Sequence, residues 1–541
     1  MDVIKKKSRT NSLVVQGGVL AIAFIFVRLI GFFYRIPLAN LLTDEGSGYY
    51  NNSFVIYTFF LMVSTYGFPN AISKLTAEKH AQKKYKEAQV IFKSALSLAL
   101  LLGVVFSIIL WFGAKELAIL SGTPKSFYSI RALAPALFCF SLLSVFRGYF
   151  QGMNTMVPTA ISQVIEQIFN AVFSLILAAI LVKKGVEYGA SGSTIGTGIG
   201  ALSAFLFLAF VYKAASHTII RKNLKLDQQK FSKKSIFHYW KIILWLAFPM
   251  VLGTIIMNLT NVIDMFMFQR ALLFKGLTSA KAAELYGFYT MKNQILINLP
   301  VAVAAALSTA SIPGLSASVI NNEVKAIEHK INTALRATLL TMIPAAVGLF
   351  VLAYPILTML FKGDHLDLAA KLLQLSTLSA VFFGISTVCI GLIQGLGKLK
   401  QQVYISLIAL VVKVLFNFVF FYLFDLRLYG AIFSNTIYAI FSAYLSIRVI
   451  KQVVKIKIDF KRTIAIPALA SVFMGIVCYV MYYVVGGISG SNTLATLMAI
   501  FMSFLAFGFL MIKLGGISEN EILAFPKGAG LVAILRKFGL L

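Results

Sequence analysis

The sequence predicts an all-α polytopic membrane protein of about fourteen transmembrane helices, built as two six-helix lobes related by a parallel repeat plus two C-terminal helices. Three observations carry this. The 541 residues are 59% hydrophobic, with a mean hydropathy of +0.86. Only 13% are charged, about half the share in a soluble globular domain. The apolar runs are near-continuous over roughly twenty residues rather than alternating with period two, which selects membrane helices over a barrel. Finally, short motifs recur at an almost constant offset.

The apolar runs place helices near 12–36, 52–73, 90–113, 128–147, 157–182, 188–212, 242–268, 286–311, 331–354, 368–393, 402–424, 428–447, 463–485 and 493–512. The first follows Lys5, Lys6 and Lys7, as a signal peptide would. It is too long for one, contains Arg28 and Arg35, and lacks a small-residue cleavage site, so it reads as a retained helix. Breaks at Gly67–Pro69, Pro158, Pro249, Pro300 and Pro313 mark kinks.

The net charge of +30 is a topology signal rather than a nucleic-acid footprint. Both tails and alternate loops hold 31 of the 49 Lys and Arg, and the other loops and the helices share the remaining 18. The heavy side is cytoplasmic by the positive-inside rule, so both termini are expected inside the cytoplasmic membrane. Attraction to anionic membrane lipids adds to this. The basic loop Lys213–Lys241, with Arg221, Lys222, Lys225, Lys230, Lys233 and Lys234, reads as a solvated linker or as an amphipathic strap on lipid.

Gly148, Gln151 and Gly152 recur as Gly391, Gln394 and Gly395, offset by 243. Ser64, Thr65 and Pro69 recur as Ser308, Thr309 and Pro313, offset by 244. Tyr188-Gly189-Ala190 with Ser193 recurs as Tyr429-Gly430-Ala431 with Ser434, offset by 241. The offset spans six helices, an even number, so the copies share one orientation. The expected organisation is an N-lobe at 1–213, a linker at 214–241, a C-lobe at 242–450, and the last two helices with a cytoplasmic tail at 451–541. Two such lobes enclose a central cavity suited to rocking alternating access.

Ionisable residues inside the membrane are informative because each costs free energy unless paired or hydrated. Arg28 lies about 24 Å along the first helix from its cytoplasmic end. Arg35 lies near the outer end, where snorkelling is the alternative. Lys93, Arg131 and Arg147 lie near helix ends and read as interface anchors. Lys292 and Arg336 lie deeper, and Lys413 near mid-membrane. The only acids within helices are Glu166 and Asp264. An excess of cations suits a polyanionic substrate such as a pyrophosphate and disfavours a cationic drug. Glu166-Gln167-Ile168-Phe169-Asn170 aligns with Lys413-Val414-Leu415-Phe416-Asn417. Glu166 and Lys413 are therefore expected either to pair across the cavity or to be satisfied each within its own lobe. Asp264 follows Asn258 and Asn261, oxygen ligands that suit Na⁺ or H⁺ coupling or a structural hydrogen bond.

There is no phosphate-loop motif and no zincin motif, and no Ser/His/Asp arrangement stands out, so the reading is a transporter without a cofactor rather than an enzyme. Cys139, Cys389 and Cys478 lie in apolar stretches and read as reduced packing residues, with no metal spacing.

Gly31-Phe32-Phe33-Tyr34-Arg35-Ile36-Pro37-Leu38 and Asp44-Glu45-Gly46-Ser47-Gly48-Tyr49-Tyr50 resemble the first-helix signature of SpoVB-like polysaccharide flippases. Arg147-Gly148-Tyr149-Phe150-Gln151-Gly152, Met156-Val157-Pro158-Thr159-Ala160 and Ser162-Gln163 with Glu166-Gln167 are similar to its helix 4–5 signature. That group sits with MurJ-like flippases, Wzx-type flippases and MATE antiporters in the MOP superfamily. The resemblance implies an undecaprenyl-pyrophosphate-linked sugar as substrate, with lipid II first and spore cortex, teichoic acid and capsule units as alternatives. It also implies a lipid-tail groove at helices 13 and 14, and company with cell-wall synthesis enzymes. Arg28 and Arg35 resemble the paired first-helix arginines of MurJ-like proteins, one residue further apart. Asp264 and Asn417 resemble Na⁺-site positions, with Lys413 standing where an acidic or polar ligand is expected. The rivals are a MATE-like cation antiporter, a non-transporting cell-wall scaffold and a membrane glycosyltransferase; the last lacks an Asp-rich loop.

Overall fold

The computed structural model describes the chain except residues 1, 66, 222–223, 225–226, 228–234, 455–458, 518, 520–529, 531, 533–535 and 537–541. Side chains are also undescribed at 2–22 and at 25, 219–220, 249–250, 253–254 and 257. Lys222, Lys225, Lys230, Lys233 and Lys234 of the basic loop, and the Pro249 side chain, thus lie outside the described residues.

Every regular element among the described residues is helical. The helices are α1 (Asp2–Thr65), α2 (Phe68–Ala81), α3 (Tyr85–Phe112), α4 (Ala114–Leu120), α5 (Phe127–Gly152), α6 (Val157–Leu181), α7 (Val186–Ala215), α8 (Ile236–Phe274) and α9 (Ser279–Phe288). They continue as α10 (Ile295–Ile320), α11 (Val324–Val351), α12 (Ala353–Leu360), α13 (Leu366–Gly395), α14 (Leu399–Phe418), α15 (Arg427–Val453), α16 (Ile466–Ser489) and α17 (Asn492–Lys513). Among the described residues, 12 helices are long and apolar enough to cross a membrane, and α8 adds a shorter apolar stretch at Ile236–Phe248. Each of the fourteen expected segments falls on helix. The first two merge in α1, whose backbone breaks at Thr43 (φ 62°, ψ 179°). The chain is a multi-pass membrane protein.

It divides into two compact units, Met1–Met291 and Lys292–Leu541. The division lies beyond the basic linker at which the repeat ends the first lobe. The reason is local. Tyr239 and Ile243 of α8 are buried in a core with Phe92, Leu143 and Phe146, and Trp240 Nε1 donates to the Ser94 carbonyl at 2.9 Å. At the other end of α8, Arg270 donates to the Ile119 and Leu120 carbonyls at 2.8 and 2.7 Å.

The described part of the linker differs from a wholly solvated loop. Leu224 packs against the same core. The carboxylate of Asp227 is buried and accepts the Lys86 backbone N–H at 2.8 Å. It thereby caps the first turn of α3, where an acid is favoured by the helix dipole.

The repeat shows in packing. In the first unit, Gly148 and Gly152 of α5 face α2, where a Cβ on either would lie 2.8 Å from the Pro69 carbonyl or 2.6 Å from Thr76 Cβ. In the second, Gly391 and Gly395 of α13 face Ser308 and Leu315 of α10. Small residues four apart let two backbones approach, which is how apolar helices associate where lipid offers no hydrophobic contrast. The second unit's core joins α10, α11, α13, α14 and α15. The two additional helices pack on it through Ile466, Ala470 and Met511 against Leu340 of α11.

Candidate functional site

The deepest charges sit where one helix meets the next in its own unit. Glu166 of α6 receives Arg147 Nη2 of α5 at 2.7 Å, with both side chains largely buried. Arg147 Nε also donates to Ser162 Oγ at 3.1 Å, and Ser162 in turn donates to the Thr159 carbonyl at 2.7 Å. The hydroxyl fixes the guanidinium so that its fork meets the carboxylate. Arg147, read from sequence as an interface anchor, is therefore an interior ion-pair partner.

Lys413 of α14 is 1% exposed. Its ammonium donates to Asn435 Oδ1 of α15 and lies 5.0 Å from the Tyr438 ring centroid. One turn along α14, Asn417 accepts from Ser434 Oγ. Ser434 belongs to the repeated Tyr-Gly-Ala-x-x-Ser motif. Its counterpart Ser193 accepts from Ser174 through its carbonyl at 2.7 Å, and Ser174 donates to Asn170, the counterpart of Asn417, at 3.0 Å. The repeat thus conserves a polar seam between the fifth and sixth helices of each half. Of the two arrangements open for Glu166 and Lys413, the structure shows the local one. Each is satisfied by an adjacent helix, because both motifs put a polar partner across the same helix pair.

Arg35 packs over the Phe54 ring at 5.7 Å. Its guanidinium is hydrogen-bonded by the hydroxyls of Tyr34 and Tyr50, which are 3.2 Å apart. Arg35 therefore lies in an aromatic nest formed where α1 turns back at Thr43, rather than snorkelling. Arg28 is exposed and lies 4.9 Å from the Phe24 ring centroid. Arg131 stacks on Trp111 at 4.3 Å, as an interface anchor does.

Lys292 and Arg336 differ from the cavity-lining expectation. Lys292 is 3% exposed, and its ammonium lies 3.8 Å from a Cβ placed on Gly363, in the short loop between α12 and α13. It sits in a π-helical turn, Tyr289–Gln294, whose neighbour Asn293 donates to Ser376 at 3.0 Å. Arg336 donates to the Gly516 carbonyl at 2.6 Å, tying α11 to the end of α17. Asp264 and Asn258 are half-buried on α8, and Asp264 lies within electrostatic reach of Tyr286 on α9. These two belong to the first unit and Asn417 to the second. No group of three or more His, Cys, Asp or Glu that could hold a metal exists among the described residues.

The signature motifs meet in the first unit. Gln167 Nε2 lies 3.2 Å from a Cβ placed on Gly31, one turn before Arg35. Gly48 meets the Ala283 backbone on α9, and Gly287 meets Asp44.

The chain is thus a many-spanning helical protein with paired repeats, and its deepest charges, Glu166 and Lys413, meet partners on the next helix. The chain belongs to the polysaccharide biosynthesis protein family, whose profile matches residues 13–319. The MatE profile matches 249–419. Lipid II flippase MurJ of Bacillus subtilis (strain 168) is 28% identical over 86% of this chain and 88% of its own. Stage V sporulation protein B of the same organism is 26% identical over 64% and 66%. The solved inward closed conformation of lipid II flippase MurJ superposes with a TM-score of 0.68 at 19% identity, covering 91% of this chain and 97% of that one. An inward-facing multidrug resistance MATE transporter of the MOP superfamily gives 0.64 at 16%, covering 80% and 98%. These likenesses show the shared fold.

Proposed function

We propose that this protein is a flippase, not an enzyme, that moves an undecaprenyl-pyrophosphate-linked oligosaccharide across the cytoplasmic membrane by alternating access. Lipid II is the first candidate, and both termini lie in the cytoplasm. The observation that carries this reading is the similarity to the lipid II flippase along 86% of the chain. The charge pattern supports it. Arginines and lysines outnumber acids at membrane depth, and guanidinium forks suit phosphate oxygens. A MATE-like antiporter for cations shares the fold but would face repulsion from the same charges. The sporulation relative makes a spore cortex precursor the second candidate, and such a substrate would place the protein beside cell-wall synthesis enzymes.

The test is complementation of a bacterium depleted of its lipid II flippase, with surface labelling of lipid II. Rescue is expected with the wild type. Arg28→Ala should lose rescue at normal expression, because an exposed arginine at membrane depth is placed for a ligand, and one charged hydrogen bond is worth about 1.5–3 kcal/mol. Full rescue by the alanine variant would remove Arg28 from the mechanism. Drug efflux without rescue in a sensitised host would favour the antiporter.

Coupling follows from Lys413. Its ammonium already fills the polar seam beside Asn417, where a Na⁺ ion would need oxygen ligands free. Rescue is therefore expected to be equal in sodium and potassium media. A sodium requirement would count against the resident ammonium as the ion's substitute.

A further inference from the structure

The basic linker carries its charges unevenly. From Lys213 to Lys241 the sequence holds eight Lys and Arg and one acid, Asp227. That acid is buried, and its carboxylate accepts the Lys86 N–H in the first turn of α3 at 2.8 Å. A carboxylate there is favoured by the helix dipole and takes a backbone donor that has no partner within the helix. Leu224, three residues earlier, packs into the core around Phe92. Past the linker, Trp240 Nε1 donates to the Ser94 carbonyl at 2.9 Å and to Ser97 Oγ at 3.1 Å. One helix, α3, thus holds both Asp227 and the start of α8. What is left outward is basic and apolar. Lys213 in the last turn of α7, Arg221 beyond it and Lys241 in the second turn of α8 are exposed. Tyr212, next to Lys213, stacks on Phe92 at 4.7 Å, and Ile243, two residues after Lys241, is buried in the same core. Lys213 and Lys241 therefore rim one end of that core. In the first turn of α8, Phe237 is 72% exposed and Ile236 is exposed beside it.

We infer that Lys213, Arg221, Lys241 and Phe237 form a docking surface for anionic lipid headgroups, and that Asp227 is the clasp that sets it. The clasp acts in two ways. It ties the linker to α3 beside the ends of α7 and α8, where the headgroups of a bilayer lie. It also withdraws the linker's one carboxylate from the cationic face, where it would repel anionic lipid and compete for the lysines. Phe237 and Ile236 supply the apolar part of the surface. A side chain of this kind enters the boundary of the acyl chains while neighbouring cations stay with the phosphates. Each cation near an anionic surface strengthens the attraction about fivefold. Membrane topology alone accounts for an excess of lysines on one side. It does not account for an exposed phenylalanine beside them, nor for a buried acid that ties the linker down. The inference is independent of what the protein transports.

The experiment is tryptic cleavage of the purified full chain in lipid nanodiscs, with the cut after Arg221 followed by mass spectrometry. Discs of phosphatidylcholine alone are compared with discs containing about one-third phosphatidylglycerol. Cleavage after Lys275, exposed in the turn between α8 and α9, corrects for any effect of lipid charge on the protease. Phosphatidylglycerol is expected to slow the Arg221 cut about tenfold. Sodium chloride at about 0.5 M should remove that protection, because it shortens the Debye length to a few ångströms. Lys213→Gln combined with Lys241→Gln should reduce the protection to about twofold or less. Asp227→Ala should speed the cut about fivefold in phosphatidylcholine, where the clasp is the restraint. Asp227→Asn keeps an acceptor for the Lys86 N–H and should retain most of that restraint. Equal cleavage of the wild type in the two lipids overturns the inference, as does full protection in the double lysine variant. Protection in phosphatidylcholine discs by inorganic phosphate at the same phosphate concentration also overturns it, because the surface would then take a free anion rather than a membrane. An unchanged rate in Asp227→Ala overturns the clasp.

Discussion

Gly48→Ala is expected to destabilise the protein by about 3 kcal/mol or more, at or beyond the upper end for overpacked cores. The added methyl would collide with the Ala283 carbonyl and lie 2.5 Å from its carbon. Across the same crossing, Gly287 has no room beside the Asp44 carbonyl. Both obstacles are backbone, so no rotamer change relieves them. Helices α1 and α9 would have to separate, and the contacts of Tyr49, Tyr50 and Tyr286 would open with them. All three side chains are buried. Loosened packing loses dispersion contacts that lipid replaces only in part. The measurement is thermal melting in detergent followed by size-exclusion chromatography, with Gly487→Ala as control, since nothing lies within 4 Å of a Cβ there. Equal melting of the two variants would show that the α1–α9 crossing is not close in the folded protein. Gly48→Val should not be recovered as a monodisperse species.

The same glycine shows what the sequence could and could not reveal. The segment Asp44–Tyr50 is recognisable as a motif, yet its glycines are legible as packing residues only once α9 is seen against them. Helix positions were readable because bilayer thickness forces a run of about twenty apolar residues on every span. The repeat was readable because Gly148 and Gly152 match Gly391 and Gly395 in type and spacing, and both pairs do the same work in their own unit. The break at Thr43 was not, since Thr-Asp-Glu contains neither proline nor glycine. Arg147 was misjudged for a related reason. Nearness to a helix end suggests an interface anchor, but Met153–Met156 turns α5 directly into α6 and brings Arg147 alongside Glu166. A signal existed: an opposite charge in the same short motif stretch, with Ser162 between. Lys292 could be found as a buried cation from sequence, but its position by Gly363 depends on where the α12–α13 loop folds. Arg336 likewise depends on the end of α17, far along the chain.

The exchange of charges between Glu166 and Lys413 is the sharper test of where these residues act. The double variant Glu166→Lys with Lys413→Glu is expected to recover nothing relative to either single variant, in rescue or in melting. A lysine at 166 would face Arg147, the cation that now meets Glu166 at 2.7 Å. Like charges in a largely buried setting repel, and neither is left with a counter-ion. A glutamate at 413 would face Asn435 Oδ1 and the negative face of Tyr438, both now arranged around an ammonium. Reorienting the carboxamide could offer its N–H₂ to the carboxylate, but the ring contact would remain unfavourable. Breaking a buried pair by altering one member costs about 3–5 kcal/mol. Two such losses in separate networks add, because sites without shared partners do not couple. The outcome that would sink this expectation is recovery in the double variant beyond the better single one. Such recovery would require Glu166 and Lys413 to serve each other during the cycle, so that the Arg147 and Asn435 contacts are resting partners. The additive outcome assigns each charge to its own helix pair, Glu166 to Arg147 and Lys413 to Asn435.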